Sequence, residues 1–282
     1  MRKIVVPTDF SANAMNALKY AVELFKYDTC EIFILHVYQD EIFFEDNSRT
    51  LVETKNARKS IANRSQLKLE ETLKEIQEFS PNARHNYKII SADNLLLDEI
   101  DAIVERENID IIVMGTRGET NDKKITFGSH TLQVLKYVRC PVLAIPENYQ
   151  HIQPRRVLFT TNYLIPYKRR ELKLLCEMVH PYRAQIDLLY MSKSNSLSQR
   201  QLDNQNLLKN ELCKNKLTFL KVGSKDIVPT IFEYVKEHDV DLLVMVNYKH
   251  SSEQNIVFQS TIDKISLHIE IPFLVLQNIT RY

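Results

Sequence analysis

The feature that most constrains the fold is a long segment that occurs twice in the sequence. The apolar run Asp241–Met245 repeats Asp110–Met114 at an offset of 131 residues, and the same offset relates Pro272 to Pro141 without an insertion between them. A match of this length without a gap indicates internal duplication. We therefore expect two similar folding units, which agrees with a length of 282 residues.

Short apolar segments alternate with helical patterns in the first copy. Five segments are typical of strands, at residues 3–7, 32–37, 87–90, 110–114 and 141–145. Between them, apolar residues recur at helical spacing after Ser11, a favourable helix cap, and again over 56–79 and 95–107. Strands that are apolar on both faces and alternate with helices indicate a parallel sheet that helices cover on both sides. The predicted fold class is therefore α/β.

The second copy begins after a polar linker. Arg156–Phe159 repeats the pattern of Lys3–Val6, and the intervening Glu147–Pro154 is polar and ends in proline. We predict a first domain at residues 1–146 and a second at 154–282.

The first copy also contains an additional segment. Glu31–Val37 corresponds to Gln185–Met191 at an offset of 154 rather than 131, so the first copy is 23 residues longer between its second and third strands. The excess lies around residues 41–60. A lid, a longer helix and a partner surface are all compatible with it.

Glycine is scarce and clustered. The chain has only four glycines, whereas average usage would give roughly 20. Gly115, Gly118 and Gly128 follow the fourth predicted strand, and Gly223 stands apart. A chain so poor in glycine is expected to use it where the backbone requires it.

The three clustered glycines predict a phosphate-binding loop. Ligands of open α/β sheets bind at the carboxyl ends of strands, where the strand order reverses. Gly115 and Gly118 would let the backbone approach a ligand and would allow a positive φ. Gly128 and Ser129 begin a helical pattern, and a helix start offers N–H groups and partial positive charge to a phosphate. The alternative is a long loop with ordinary turn glycines.

The spacing G-x2-G-x9-G-S, after a strand and at the start of a helix, resembles the nucleotide signature of the universal stress protein family. The segments KIVVPTDFS, His36-Val37 and VRCPVLAIP also resemble that family. The resemblance covers essentially the whole chain, with specific motifs in the first half and weak ones in the second. It implies two tandem Rossmann-like, doubly wound domains, each a five-stranded parallel sheet of order 3-2-1-4-5 with helices on both faces.

The resemblance further implies that the first domain binds ATP or AMP, with or without Mg²⁺. The residues expected to line the pocket lie at the ends of the first, second and fourth strands and around the following helix start: Pro7, Thr8, Asp9, Val37, Met114, Gly115, Arg117, Gly118, Gly128, Ser129 and His130. Asp9 is expected near the ribose, Val37 at the adenine, and Gly128 with its neighbours at the phosphates.

Several of these residues have structural alternatives. Asp9 could merely cap the first helix. Arg117, Lys123 and Lys124 would add positive charge to the site, or would belong to a solvated loop. His36 is interpreted as a packed histidine at a strand end rather than a ligand.

The second copy departs from the motif at each informative position. The first copy's Asp9, Gly115, Gly118 and Gly128 are replaced there by Asn162, Val246, Lys249 and Gln259. Side chains at the three glycine positions would crowd the phosphate path and disfavour positive φ. We predict that the second domain keeps the fold and lacks the nucleotide site.

Composition and missing motifs exclude several function classes. A net charge of +1 gives no general attraction to nucleic acid, and the four cysteines lack metal-ligand or redox spacing. No apolar run approaches the length that spans a bilayer, and the first residues do not resemble a signal peptide, so we expect a cytoplasmic protein without membrane contact. There is no G-x-x-x-x-G-K-[ST] loop. We therefore expect no enzyme activity beyond slow ATP hydrolysis.

The expected function is a universal stress response protein that uses the nucleotide as a regulatory ligand. The alternative is an interaction scaffold of the same fold that binds none. The resemblance also implies an internal pseudo-dimer, in which the fifth strands of the two domains, 141–145 and 272–276, pair with each other. A homodimer and an unidentified protein partner are further expectations.

Overall fold

The computed structural model describes residues 1–40, 51–117, 127–164, 167–192, 196–223, 226–247, 261–266 and 268–278, without the side chains of 51–55. In the first half the strands are β1 (Arg2–Pro7), β2 (Cys30–Val37), β3 (His85–Ala92), β4 (Ile111–Gly115) and β5 (Val142–Ile145). The helices are α1 (Ala12–Leu24), α2 (Leu51–Phe79), α3 (Leu96–Glu107) and α4 (Ser129–Tyr137).

The second half repeats this alternation. Its strands are β6 (Arg156–Thr161), β7 (Gln185–Met191), β8 (Lys216–Val222), β9 (Leu242–Asn247) and β10 (Phe273–Gln277). Its helices are α5 (Arg169–Val179), α6 (Gln199–Glu211) and α7 (Ile227–Glu237), with a 3-10 turn at His180–Tyr182 and helical residues at 261–266.

The ten strands form one sheet in the order β3-β2-β1-β4-β5-β10-β9-β6-β7-β8. Each half therefore has the predicted order 3-2-1-4-5, and all pairs within a half are parallel. The α/β fold class with two tandem doubly wound units is confirmed. The halves join where β5 and β10 pair antiparallel, with Ala144 opposite Phe273 and Val142 opposite Val275. This pairing covers two strand edges that would otherwise be exposed.

Hydrophobic cores lie on both faces of the sheet. In β1, Ile4 and Val6 belong to the core shared with α1, α2, α5 and α6. Val5 belongs to the core on the other face, which α3, α4 and α7 cover. Because both faces are buried, the strands read as continuous apolar runs rather than alternating ones.

The start of α1 follows from a single side chain. Ser11 is the N-cap residue, and its Oγ accepts a hydrogen bond from the Ala14 N–H at 3.2 Å, as predicted. Ala14, Ala17 and Leu18 then bury the inner face of the helix. Within the described residues, no helix combines the length and apolar character needed to cross a bilayer.

Candidate functional site

The ends of β1, β2 and β4 meet at one edge of the sheet. β1 pairs in parallel with β2 on one side and with β4 on the other, so the strand order reverses between β1 and β4. Pro7 lies opposite Leu35, and the Thr8 N–H donates to the Leu35 carbonyl at 2.8 Å. This is the position at which open α/β sheets bind ligands.

A tight turn follows β1. The Phe10 N–H donates to Thr8 Oγ1 at 3.0 Å, and the Ser11 N–H donates to Asp9 Oδ1 at 3.1 Å. These bonds support Phe10 at a φ of 64°, which side-chain-bearing residues rarely adopt. Asp9 is exposed at the edge of the sheet. Since Ser11 is the cap of α1, capping that helix is not the role of Asp9.

The second half builds the same turn with a different charge. The Tyr163 N–H donates to Thr161 Oγ1, and the Leu164 N–H donates to Asn162 Oδ1, both at 2.9 Å. Tyr163 has a φ of 55°. The turn itself is therefore a shared structural device. What distinguishes the first half is the carboxylate of Asp9, where the second half has a neutral amide.

Gly115, at the end of β4, is required by packing. A Cβ atom there would lie 2.9 Å from Asn13 Nδ2 and 3.1 Å from the Asn13 carbonyl oxygen. Asn13 is buried in α1, and its amide donates to the Arg117 carbonyl at 3.0 Å. No described glycine has a positive φ, so the expectation of that conformation is wrong for Gly115. Its absent side chain makes room for Asn13.

The helix α4 starts beside this strand end. Gly128 is its N-cap residue, with an extended φ of −71°, and the Gly128 N–H donates to the Thr116 carbonyl at 2.6 Å. The backbone conformation at this position therefore does not require glycine. The effect of glycine is that the N-cap residue of the helix has no side chain for capping. The first-turn N–H groups have no acceptor within the helix and form its positive end. The side chains of Ser129 and His130 are exposed there.

Two buried polar atoms beside the site lack a hydrogen-bond partner within the described part of the chain. They are Thr116 Oγ1 and Asn13 Oδ1. Thr116 is 0% exposed; it follows the last residue of β4, and its carbonyl accepts the hydrogen bond from the Gly128 N–H. Buried hydroxyl groups usually have a hydrogen-bond partner. These two atoms could therefore still accept a hydrogen bond at this edge of the sheet.

Charged side chains surround the edge in opposing pairs. The Arg117 guanidinium lies 3.2 Å from a carboxylate oxygen of Glu147. The imidazole Nε2 of His130 lies 3.8 Å from Asp40 Oδ2, and both side chains are exposed. Among the described residues, the Arg117 guanidinium and the His130 imidazole therefore each face a carboxylate.

The remaining predicted residues vary in exposure. Pro7 and Met114 are buried, and Val37 is half-buried at the end of β2. Gly118, Lys123 and Lys124 lie outside the described residues. His36 is buried, with its Nδ1 2.8 Å from Ser65 Oγ and its ring centroid 4.4 Å from that of Phe10. It is a packed strand-end histidine, as interpreted from the sequence.

A groove borders the β1 turn on the side of α1. Its volume is about 770 Å³, and its lining includes Thr8, Phe10, Asn13 and Glu147. This volume lies within the range of small-molecule sites. In the described part of the chain, no three His, Cys, Asp or Glu side chains cluster in a way that would hold a metal ion.

In the second half, side chains of α6 cover the turn that follows β6. The Gln201 amide donates to the Asn162 carbonyl at 2.9 Å and to the Tyr190 hydroxyl at 3.1 Å. Asn204 donates to the Tyr163 carbonyl at 2.7 Å, and Tyr163 is only 1% exposed. Helix α6 thus occupies the space above the turn.

Comparison of the sequence with models of whole protein families identifies the family of this chain. A model described as the universal stress protein family matches residues 1–146 and 173–277. The chain belongs to the universal stress protein family. Its match in two segments agrees with the duplicated fold.

Individual members of the universal stress protein family give the same result. Universal stress protein MJ0577 of Methanocaldococcus jannaschii is 34% identical over 152 residues, which are 51% of this chain and 94% of that protein. Universal stress protein MJ0531 of the same organism is 26% identical over 144 residues, covering 51% and 81%. A universal stress protein structure from Archaeoglobus fulgidus superposes with a TM-score of 0.66 at 17% identity, covering 98% of this chain and 96% of that one. That likeness shows the fold.

Sequence reasoning missed several residues of the site. Asn13 and Thr131 hold the backbone of the β4 end, since Thr131 Oγ1 donates to the Gly115 carbonyl at 2.9 Å. Thr116 stands inside the glycine motif, and Asn13 is a polar residue on the apolar face of α1. These two positions could have been singled out from the sequence for those reasons. The contact of Asp40 with His130 joins segments that are distant in the sequence, and no local pattern indicates it.

Proposed function

We propose that the first half of the chain binds an adenine nucleotide, ATP or AMP, as a regulatory ligand. The observation that carries this proposal is the start of α4, where the N-cap residue Gly128 has no side chain to cap the first-turn N–H groups, beside the point between β1 and β4 at which the strand order reverses. Anions bind favourably at such helix starts. Universal stress proteins are generally regulatory rather than enzymatic, which supports a ligand that is bound rather than rapidly consumed.

The polar groups at the edge suit the parts of a nucleotide. The exposed carboxylate of Asp9 can accept hydrogen bonds from ribose hydroxyls, and half-buried Val37 offers an apolar contact for adenine. Backbone N–H groups at Ser129 and His130 would hold phosphate oxygens. The hydroxyl of Ser129 would add a donor.

Positive charge would become available when a phosphate enters. Arg117 is paired with Glu147, whose side chain is 50% exposed. The Arg117 side chain is 19% exposed, so the pair is partly buried, but water screens the exposed carboxylate and the net stability from the pair is modest. A doubly or triply charged phosphate chain would therefore compete well for the guanidinium.

Magnesium enters the proposal as a companion of ATP. Mg²⁺ prefers oxygen ligands and is commonly held by substrate phosphates, waters and one or two carboxylates. Binding is therefore to be measured with and without Mg²⁺.

The test is a ligand-dependent thermal shift, together with mass spectrometry of nucleotides carried through purification. A ligand at 100 times its dissociation constant adds about 2.7 kcal/mol of stability. We expect stabilisation by ATP or AMP. No shift at millimolar concentrations of either nucleotide, with or without Mg²⁺, would overturn the proposal in favour of the interaction scaffold.

A matched pair of variants separates charge from turn geometry. Asp9→Asn keeps the side-chain acceptor that Asn162 provides in the equivalent turn, but removes the carboxylate. Loss of a charge-assisted hydrogen bond should weaken nucleotide binding about tenfold or more. The control Asn162→Asp introduces a carboxylate into the second turn and should leave binding by the first half unchanged.

A further inference from the structure

The second half of the chain donates buried hydrogen bonds to the last turn of α4. Gln277 Nε2 donates to the Leu135 carbonyl at 2.9 Å, and Asn247 Nδ2 donates to the Lys136 carbonyl at 3.4 Å. Gln277 and Asn247 are 1% and 3% exposed. Carbonyl groups in the last turn of a helix lack intrahelical partners. Here amides of the other half satisfy them.

The two amides act as one unit. Asn247 Nδ2 also donates to Gln277 Oε1 at 2.8 Å, so the side chains at the ends of β9 and β10 are joined. Lys136 adds an ion pair across the same boundary, with its Nζ 2.5 Å from Asp263 Oδ1. We call Gln277 and Asn247 the amide brace.

The brace is built from the edge that would carry a nucleotide site in the second half. At the offset of 131 residues, Asn247 corresponds to Thr116, the residue after Gly115. In the first half that position contacts the start of α4 through its backbone. In the second half the same position reaches across to the end of α4.

We propose that the amide brace is a positioning device for the phosphate site at the other end of α4. This inference rests on the proposed nucleotide function of the first half. Gln277 and Asn247 do not contact the ligand; they hold the helix whose first turn would bind it. Nucleotide binding and the contact between the halves are then linked, and each strengthens the other.

The length and anchoring of α4 make this coupling physically direct. A helix of nine residues is about 13 Å long and has about two and a half turns, so we expect a displacement of its last turn to reach its first turn. Its start is held to the β4 end by the Gly128–Thr116 and Thr131–Gly115 hydrogen bonds. Near the start, the ring of Phe127 lies 6.2 Å from that of Phe273 in the second half. Without the brace, the last turn would carry buried unpaired carbonyls, and the helix would shift to satisfy them.

The experiment compares ATP with adenosine in Gln277→Leu and Asn247→Leu of the full chain. Adenosine has no phosphate and does not use the start of α4, so a positioning role affects ATP selectively. Couplings of this kind correspond to an increase of about 2-fold to 30-fold in the dissociation constant. We expect that increase for ATP and an unchanged constant for adenosine.

Asn204→Leu is the matched control. Asn204 is a buried amide of the second half that also donates to a backbone carbonyl, that of Tyr163 at 2.7 Å. Its removal should leave the ratio of ATP to adenosine affinity as in the unaltered chain. If the two brace variants bind ATP with unaltered affinity, or lose ATP and adenosine affinity equally, the brace has no positioning role.

A measurement on the unaltered chain covers the case in which a brace variant does not fold. Amide hydrogen exchange with and without ATP should show added protection at the end of α4 and in β10, and none in α6. Absence of added protection in α4 and β10 despite ATP binding overturns the inference alone. Absence of ATP binding overturns the proposed function and the inference with it.

Discussion

Gly115 lies against Asn13 so closely that a Cβ atom would stand 2.9 Å from the Asn13 amide nitrogen. The contact joins the end of β4 to the first turns of α1, and the Asn13 amide continues to the Arg117 carbonyl. The candidate ligand edge is therefore shaped by packing between a glycine and a buried amide.

Gly115→Ala should destabilise the fold. The added methyl group either displaces Asn13 from its hydrogen bond to Arg117 or pushes α1 away from β4, and overpacking of this kind costs about 1–3 kcal/mol. Urea unfolding measures the loss. Asn13→Ala in the same chain removes the side-chain part of the obstacle and leaves the Asn13 carbonyl oxygen at 3.1 Å, so the double variant should lose less than the sum of the single losses. A Gly115→Ala variant as stable as the unaltered chain would contradict the packing role.

Glu147→Gln should strengthen ATP binding. It releases the Arg117 guanidinium, which now lies 3.2 Å from the Glu147 carboxylate, and removes a negative charge near the phosphate path. We expect an increase in affinity of about 2-fold to 5-fold, declining as salt screens the charges. Isothermal titration at two ionic strengths checks it.

Glu75→Gln is the control for that experiment. Glu75 is a similarly exposed carboxylate whose partner is Lys19, at 2.7 Å. It changes the net charge equally but does not involve Arg117. Equal effects of the two substitutions would show that only net charge matters.

The free energy of unfolding should decrease in acid because the carboxyl group of Asp187 becomes protonated. Burial alone would raise the pKa of this carboxyl, but hydrogen bonds from Gln185, Tyr234, Arg156 and Thr218 outweigh burial and lower the pKa. An unfolded aspartate titrates near 3.9. The stabilisation is therefore fully present above about pH 3.9 and is lost as pH falls towards the lower pKa of the folded state.

Asp187→Asn tests that contribution. The substitution weakens the 2.9 Å contact with Arg156, whose side chain is 36% exposed, and should cost about 1.5–3 kcal/mol at pH 7. The difference between variant and unaltered chain should shrink in acid. Unfolding by urea at pH 7 and pH 3.5 measures both. A difference that grows in acid would contradict the lowered pKa.

The fold was predictable because its signals are local or repeated. Apolar runs such as residues 111–114 are buried on both sides, and Ser11 caps α1 as its position indicates. The strand order came from the family resemblance. Only those parts of the site that belong to a single sequence motif were predictable, such as Gly128 at the start of α4.

The rest of the site depends on contacts between distant segments. Asn247 and Gln277 are ordinary polar residues in the sequence, and nothing local indicates that they meet α4. Their pairing needs β5 beside β10, which brings the last turn of a first-half helix to two second-half strand ends. Gly115 shows the same limit, because its role depends on Asn13 rather than on its own φ.

The central claim, one nucleotide site per chain on the first half, is tested most directly by isothermal titration of the full chain with ATP and with AMP. We expect a stoichiometry of one. Gly128→Gln should abolish this binding, and the extended backbone at that position is one that any residue can adopt. The sequence motif predicts the same loss for Gly118→Val. Two nucleotides per chain, or unchanged affinity in both variants, would contradict the account.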